Sequence, residues 1–289
     1  MVEPKHFGSN PETASTNSFQ ATGSTEEDRV QALREFENAV EKLSQAGVNV
    51  HVLPDYSESP DAVFPNNWFS SHEDGFVLYP MHSKSRRTER ATEIVQLLQK
   101  EYETGPIFDL SGFEDSGCFL EGTGSMVLDR IEKQVYACLS PRTDPDLLDV
   151  WADRFGYEVI SFQANDVSGN PVYHTNVVLS MGTNWFVWCE EAIPEDDRVV
   201  IQGSLREGVE TIPIKMVQME SFCGNILELQ GSKGPVLAVS ETAWEAFTAT
   251  QKSKLEKYAQ PVVCPIPTIE KFGGGSLRCM IAECFWPRK

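Results

Sequence analysis

The sequence has no apolar run approaching the roughly 18 residues that a membrane-crossing helix needs, and its opening MVEPKHFGSNPETASTNSF holds no hydrophobic stretch of the signal-peptide kind. It is also poor in positive charge: 24 Lys and Arg stand against 43 Asp and Glu in 289 residues, for a net charge of −19. That balance repels phosphate backbones and anionic lipid, so neither nucleic acid nor a membrane surface is an expected partner. No C-x-x-C pair occurs among the seven cysteines, which argues against a zinc site and a disulfide framework. These absences predict a soluble, cytoplasmic protein with reduced thiols. No G-x-G-x-x-G or Walker-type loop follows any candidate strand, which removes the support for an open nucleotide-binding sheet.

What the chain does have is a unit used five times. Helical apolar spacing marks EEDRVQALREFENAVEKLSQAG, RRTERATEIVQLLQKEYE, DPDLLDVWADRFG, PEDDRVVIQGSLREG and ETAWEAFTATQKSKLEKYA. Each is followed by a short β-branched or apolar run: VNVHVLP, PIFDL, YEVISF, ETIPIKM and PVVCPIP. A polar, glycine-bearing loop and an apolar hairpin come next, the last hairpin being SLRCMIAECFW. Ser125, Asn176, Asn225 and Ser276 mark the repeat at steps of 51, 49 and 51 residues. A unit of this size cannot bury its own faces, so an α/β chain closing into one ring-shaped domain over residues 1–289 is expected. The last hairpin lacks an obvious second strand, and KHFGSN (5–10) is expected to supply it. A ring brings its loops to a common axis, and function is expected there.

Those loops carry Asp61, Asn66 and Asn67, then Glu114, Asp115 and Glu121, then His174, Cys223 and Cys279. In KFGGGSLRCM three glycines precede Cys279, a run kept where φ > 0 or close backbone approach is required. One reading is a turn leading to a buried structural cysteine. The other is a nucleophile whose approach the glycines keep open. A thiol and an imidazole meeting in space form a usual nucleophile and base, and His174 in VYHTNVV occupies a loop-to-strand junction equivalent to that of Cys279; a satisfied structural histidine is the competing reading. Glu121 precedes a Gly-Thr-Gly turn, whose phosphate-cradle reading is weak because no Lys follows it. Glu114 and Asp115 read as a solvated acidic pair, and Asn225 as structure at the start of a strand. Arg86 and Arg142 are either solvated surface or guanidinium forks for a substrate carboxylate.

Together GGGSLRCM, VYHTNVV, FLEGTGS and DAVFPNNWF resemble the guanidine-modifying, or pentein, superfamily, which includes arginine deiminases, dimethylarginine hydrolases and amidinotransferases. DAVFPNNWF is most similar to the hydrolases of citrulline utilisation. The resemblance runs through all five units and implies a five-bladed α/β propeller. It implies Cys279 as nucleophile, His174 as proton carrier and Glu121 as the third catalytic residue, with Thr123 where the family has a second glycine. It also implies Arg86 and Arg142 as a carboxylate clamp, and no metal or organic cofactor. Where arginine deiminases carry carboxylates ahead of the first hairpin, this chain has Asn66 and Asn67, with Asp61 retained. A cationic guanidinium calls for a paired carboxylate, whereas an amide suits a neutral ureido group. The expectation is therefore a citrulline ureidase acting on a small amino-acid substrate, with arginine deiminase, dimethylarginine hydrolase or amidinotransferase activity as alternatives. The non-enzyme alternative is a ribosome-binding factor of the same fold. Oligomeric state, including a homo-oligomer, is left open.

Overall fold

The computed structural model describes residues 1–73 and 75–289. After a single helical turn at Pro11–Ala14 comes the long helix α1 (Glu26–Gln45), whose N-terminus is closed by a reciprocal capping box between Thr25 and Asp28. Strands β1 (Phe69–His72) and β2 (Gly75–Leu78) then pair antiparallel, helix α2 (Thr92–Glu101) crosses over, and β3 (Ile107–Asp109) returns parallel to β2. A parallel return needs such a crossover, whereas the hairpin needs only a turn.

The same unit recurs as β4 (Val127–Asp129), β5 (Gln134–Cys138), α3 (Pro145–Phe155) and β6 (Glu158–Phe162). It recurs again as β7 (Leu179–Met181), β8 (Trp185–Trp188), α4 (Glu195–Ser204) and β9 (Glu210–Pro213). A fourth copy is β10 (Leu227–Gly231), β11 (Gly234–Ser240), α5 (Ala249–Glu256) and β12 (Gln260–Cys264). Each gives a three-stranded mixed sheet with its second strand in the middle. Middle strands such as WFVW in β8 are wholly buried, and aromatic and β-branched residues fit a pleated surface covered on both faces. Helix α3 shows how sequence sets a boundary. Asp144 caps it by accepting from Leu147 N, Pro145 fills its first turn, and Gly156 ends it at φ +69°, leaving Leu147, Leu148, Trp151 and Ala152 to face the core.

The segments that lead into the first strands are stitched to one another. Thr123 Oγ1 donates to Asn66 O (3.4 Å), Asn176 Nδ2 to Thr123 O (3.2 Å) and Asn225 Nδ2 to Asn176 O (2.8 Å). Residues far apart in sequence therefore share one locus.

The last unit departs from expectation. SLRCMIAECFW forms a single 3-10 turn, Leu277–Met280, and no hairpin. KHFGSN contributes no strand; Val2 instead lies parallel to Leu53, with Glu3 N bonding Leu53 O (3.0 Å) and Leu53 N bonding Met1 O (2.8 Å). Pro4 ends that pairing because it has no N–H to offer. Met1, Phe36, Leu43, Leu277 and Ile281 share one apolar cluster, which joins this edge to α1. Trp286 leaves the unit to pack on Phe76 and to donate to His72 O (3.0 Å) in the first sheet. Among the described residues no helix is long and apolar enough to cross a membrane.

Candidate active site

Thr13, Asn17, Asp61, Phe64, Asn67, Arg86, Arg142, Tyr173, His174, Gly273, Gly274, Gly275 and Cys279 line one cavity. The cavity offers a volume of about 20 Å³, room for roughly one water molecule. The segment 10–21 covers it: Asn10 and Thr13 donate to Asp61 Oδ2 (2.8 and 3.1 Å), Asn17 to Gly274 O (3.0 Å) and Gln20 to Phe272 O (2.8 Å).

His174 ends an extended stretch just before the turn Thr175–Val178, and its Nε2 lies 2.8 Å from Glu121 Oε2. Burial pushes the imidazole down to about 4 against the pull of Glu121. Burial would raise the Glu121 carboxyl, but Arg142, His174 and Arg86 hold it well below the usual carboxylate range. A neutral imidazole beside a carboxylate donates from Nε2, which leaves the Nδ1 lone pair as the basic site. Glu121 Oε1 also accepts from His82 N (3.0 Å) and its Oε2 faces Arg142 (3.6 Å), so this carboxylate orients His174 from behind and does not line the cavity. Gly124 is required here: a Cβ on it would sit 2.3 Å from Asn67 Nδ2 and 2.8 Å from His174 Nδ1.

Cys279 is only 4 % exposed, and burial pushes its thiol up, opposed by Asn225 and Arg278. The preceding glycines serve close packing. Gly274 closes helix α6 (Pro267–Gly273) at φ +63°, and its Cβ would lie 2.5 Å from Asn17 Nδ2. A Cβ on Gly273 would lie 2.7 Å from the Phe64 ring. The carbonyl of Gly274 is taken by Tyr173 Oη (2.5 Å) and Asn17 (3.0 Å), while all three glycines line the cavity beside Cys279.

The two arginines differ. Arg86 is spent inside the protein, bonding both oxygens of Glu89 (2.8 Å each), Asn67 Oδ1 (2.8 Å) and Phe64 O (3.1 Å). Arg142 holds Thr13 O (3.2 Å) and Thr16 Oγ1 (2.6 Å), and its buried Nε has no partner. Asp61 Oδ1 and Asn67 Nδ2 are likewise buried without partners, and burial raises the Asp61 carboxyl against the pull of Arg86. Asn66 is buried outside the cavity lining with both polar side-chain atoms unpartnered.

Two sequence expectations about single residues need correction. Glu114 is no solvated acid: it accepts from Met81 N (2.8 Å) and pairs with Arg90 (2.7 Å) and Arg87 (3.3 Å). Asn225 is more than a strand start, since its Nδ2 lies 3.2 Å from Cys279 Sγ. Cys223, by contrast, turns its thiol to Ala243 O (3.3 Å), away from the cavity. Asn176 (3.5 Å from the same sulfur), Tyr173 and segment 10–21 were also missed as site components. The only available signal was that Asn176 and Asn225 stand at the fifty-residue markers. Among the described residues no group of three His, Cys, Asp or Glu is placed to hold a metal ion.

In fold, the chain is similar to the arginine dihydrolase ArgZ of the ornithine-ammonia cycle in cyanobacteria, with a TM-score of 0.77 at 17% identity. That match covers 97% of this chain but 39% of ArgZ, so the chain spans about two fifths of that protein's length. The N-terminal domain of ArgZ with bound substrate matches at a TM-score of 0.76 and 16% identity, covering 100% of this chain and 96% of that domain. A dimethylarginine dimethylaminohydrolase captured as an adduct with S-methyl-L-thiocitrulline matches at a TM-score of 0.61 and 15% identity over 87% of this chain and 88% of that one. No curated protein matches the chain in sequence. The α/β architecture of small mixed sheets is thus that of the pentein fold, and the model of eukaryotic N,N dimethylarginine dimethylhydrolase matches residues 3–286. By that span, nearly the whole sequence, the chain belongs to the N,N-dimethylarginine dimethylhydrolase family, a family of carbon–nitrogen bond hydrolases.

Proposed function

We propose that residues 1–289 form one catalytic domain, a five-bladed α/β propeller whose last blade is assembled from both ends of the chain, and that it hydrolyses the ureido group of an arginine-like amino acid, citrulline foremost. The observation that carries this reading is the orientation of Asn67. Arg86 can only donate, so Asn67 must accept through Oδ1, and that leaves the unpartnered Nδ2 as its free group in the lining. A ureido oxygen accepts from such a donor; a guanidinium has only donors to set against it. Asp61 Oδ1 is the matching acceptor for a ureido N–H.

In this mechanism the Cys279 proton passes to His174, and Glu121 stabilises the imidazolium so formed. The thiolate attacks the ureido carbon. His174 then protonates the δ-nitrogen as its C–N bond breaks, which releases ornithine and leaves an S-carbamoyl enzyme. Water deprotonated by His174 attacks that carbon, the thiolate departs, and the carbamate decomposes to carbon dioxide and ammonia. No step calls for a metal or an organic cofactor. Arg142, with its free Nε, takes the substrate carboxylate. Because the cavity admits about one water, segment 10–21 has to move for a substrate to enter.

The carboxylate of Asp61 in the lining, with Glu121 behind His174, favours a second reading in which a guanidinium is the substrate, in keeping with the family's name. A substrate panel of citrulline, arginine and methylated arginines, with products identified by mass, separates the two. Ornithine from citrulline is expected, and Cys279→Ser and His174→Ala should each lower turnover by at least about a hundredfold with the fold intact. Asn67→Asp should shift relative kcat/KM towards arginine by roughly ten- to a hundredfold, through a charge-assisted hydrogen bond. Arginine converted to citrulline with no detectable ornithine would leave the guanidinium reading standing. Normal turnover in Cys279→Ser would end both.

A further inference from the structure

The nucleophile meets no hydroxyl of its own loop; it lies against two side-chain amides brought from other units. Asn225 Nδ2 is 3.2 Å and Asn176 Nδ2 3.5 Å from Cys279 Sγ, and both asparagines are fully buried. We infer that Asn176 and Asn225 form a paired-amide seat for the Cys279 sulfur and are catalytic residues of the proposed reaction. The inference rests on the reading of Cys279 as nucleophile.

The orientation of both amides is fixed by their second hydrogen. Asn225 Nδ2 also donates to Asn176 O (2.8 Å) and Asn176 Nδ2 to Thr123 O (3.2 Å); a carbonyl only accepts, so the nitrogens are identified chemically. Each amide also brings its oxygen near the sulfur, at 3.5 Å for Asn225 and 3.8 Å for Asn176. The resting thiol can therefore donate to Oδ1 and the ionised sulfur can accept from Nδ2, with no side chain turning over. Donors held in place before charge develops are worth more than donors that must reorganise.

The repeat supplies an internal comparison. The four marker positions, Ser125, Asn176, Asn225 and Ser276, all lie at junctions between units. Ser125 Oγ is occupied with Arg142 O (2.8 Å) and Glu121 N (3.0 Å), and Ser276 Oγ donates to Glu270 (2.6 Å). Serine thus satisfies the junction by itself, and asparagine occupies the two markers that lie against sulfur. The charged and titratable groups around the seat are Arg278 on the cysteine's own turn, and His174 and Tyr173 from the third unit with Glu121 behind them. Asp61, Arg86 and Arg142 lie across the cavity, and Glu270 acts through Ser276. Among them Arg278 favours the thiolate, and it is itself buried with one hydrogen bond to Ile281 O (3.1 Å).

The test is an ultraviolet titration of the thiolate in substrate-free protein, taken as the difference between each protein and its Cys279→Ser counterpart so that the other six cysteines cancel. Asn225→Ala and Asn176→Ala should each move the midpoint up by about one pH unit, which is about a tenfold loss of thiolate below the midpoint. Asn225→Asp keeps the shape and sets a carboxylate against the sulfur, and its midpoint should rise at least as far. Thermal melting reports whether each variant folds. If the alanine variants fail to fold, the aspartate variant decides. Midpoints that coincide with the parent in folded variants overturn the inference. A Cys279→Ser protein with full turnover overturns the proposed function instead, whatever the titrations show.

Discussion

Two arginines that look alike in sequence have different work to do. Arg86 and Glu89 are both buried and face each other through two hydrogen bonds, so Arg86→Ala leaves a buried carboxylate without its counter-charge, held only by the Ser59 hydroxyl (2.6 Å). The expected outcome is a loss of about 3–5 kcal/mol of stability, read by chemical denaturation, with a change of substrate preference in the folded fraction because Arg86 also fixes the Asn67 amide. Arg142→Ala should leave the melting transition closer to the parent and raise KM more than it lowers kcat, since a carboxylate remote from the reacting carbon is held alike in ground and transition states. Equal destabilisation by the two substitutions would contradict this division. Residue type and spacing singled out both arginines together with Cys279, His174, Glu121, Asp61 and Asn67, and the structure brings these around one locus. Which partner each would meet could not be read from the chain, because Glu89 is an acid in a charged stretch and Asn225 an ordinary strand-entry residue until the units are assembled. The same holds for Glu114, whose partners Arg87 and Arg90 become neighbours only after the chain turns at Met81.

At the level of elements, the glycine run after α6 and segment 10–21 form one contact. Gly274 has φ +63° and carries Asn17 against its Cα, whereas Gly23 has φ +81° with nothing within 4 Å. Comparing Gly274→Ala with Gly23→Ala separates backbone strain from collision. Both should lose stability, about 1–3 kcal/mol for the backbone conformation, but only Gly274→Ala should also expose 10–21 to limited proteolysis and change KM. Identical proteolysis of the two variants would show that Gly274 does not hold the segment. The helices and hairpins of the middle units were legible because each carries its own signal: helical spacing, a cap such as Asp144, a buried β-branched strand. The last unit was not. Its pairing rests on Val2 and Leu53, 51 positions apart, and nothing local in KHFGSN or SLRCMIAECFW announces that arrangement. Segment 10–21 is equally silent, since Asn, Thr and Gln read as loop until their partners, Asp61, Gly274 O and Phe272 O, are known.

Over the whole molecule the dominant quantity is charge. At −19 the folded chain repels itself, and exposed ion pairs such as Lys215 with Glu191 return little. Raising ionic strength from about 0.01 M to about 0.15 M shortens the screening length from about 30 Å to about 8 Å, so the melting temperature should climb with salt over that range. A flat or falling curve would mean that local pairs outweigh the net field. The fifty-residue period was the most legible feature at this scale, because four sheets of one topology repeat it in space. The enclosure of Cys279 has a further consequence in redox terms. A sulfur that rests as a neutral thiol, in a space of about one water under segment 10–21, presents little thiolate to peroxide, and thiolate is the form that oxidises. With Cys279 as the proposed nucleophile, the closure proposed to make a substrate wait for an opening would also shield the sulfur from irreversible oxidation between turnovers.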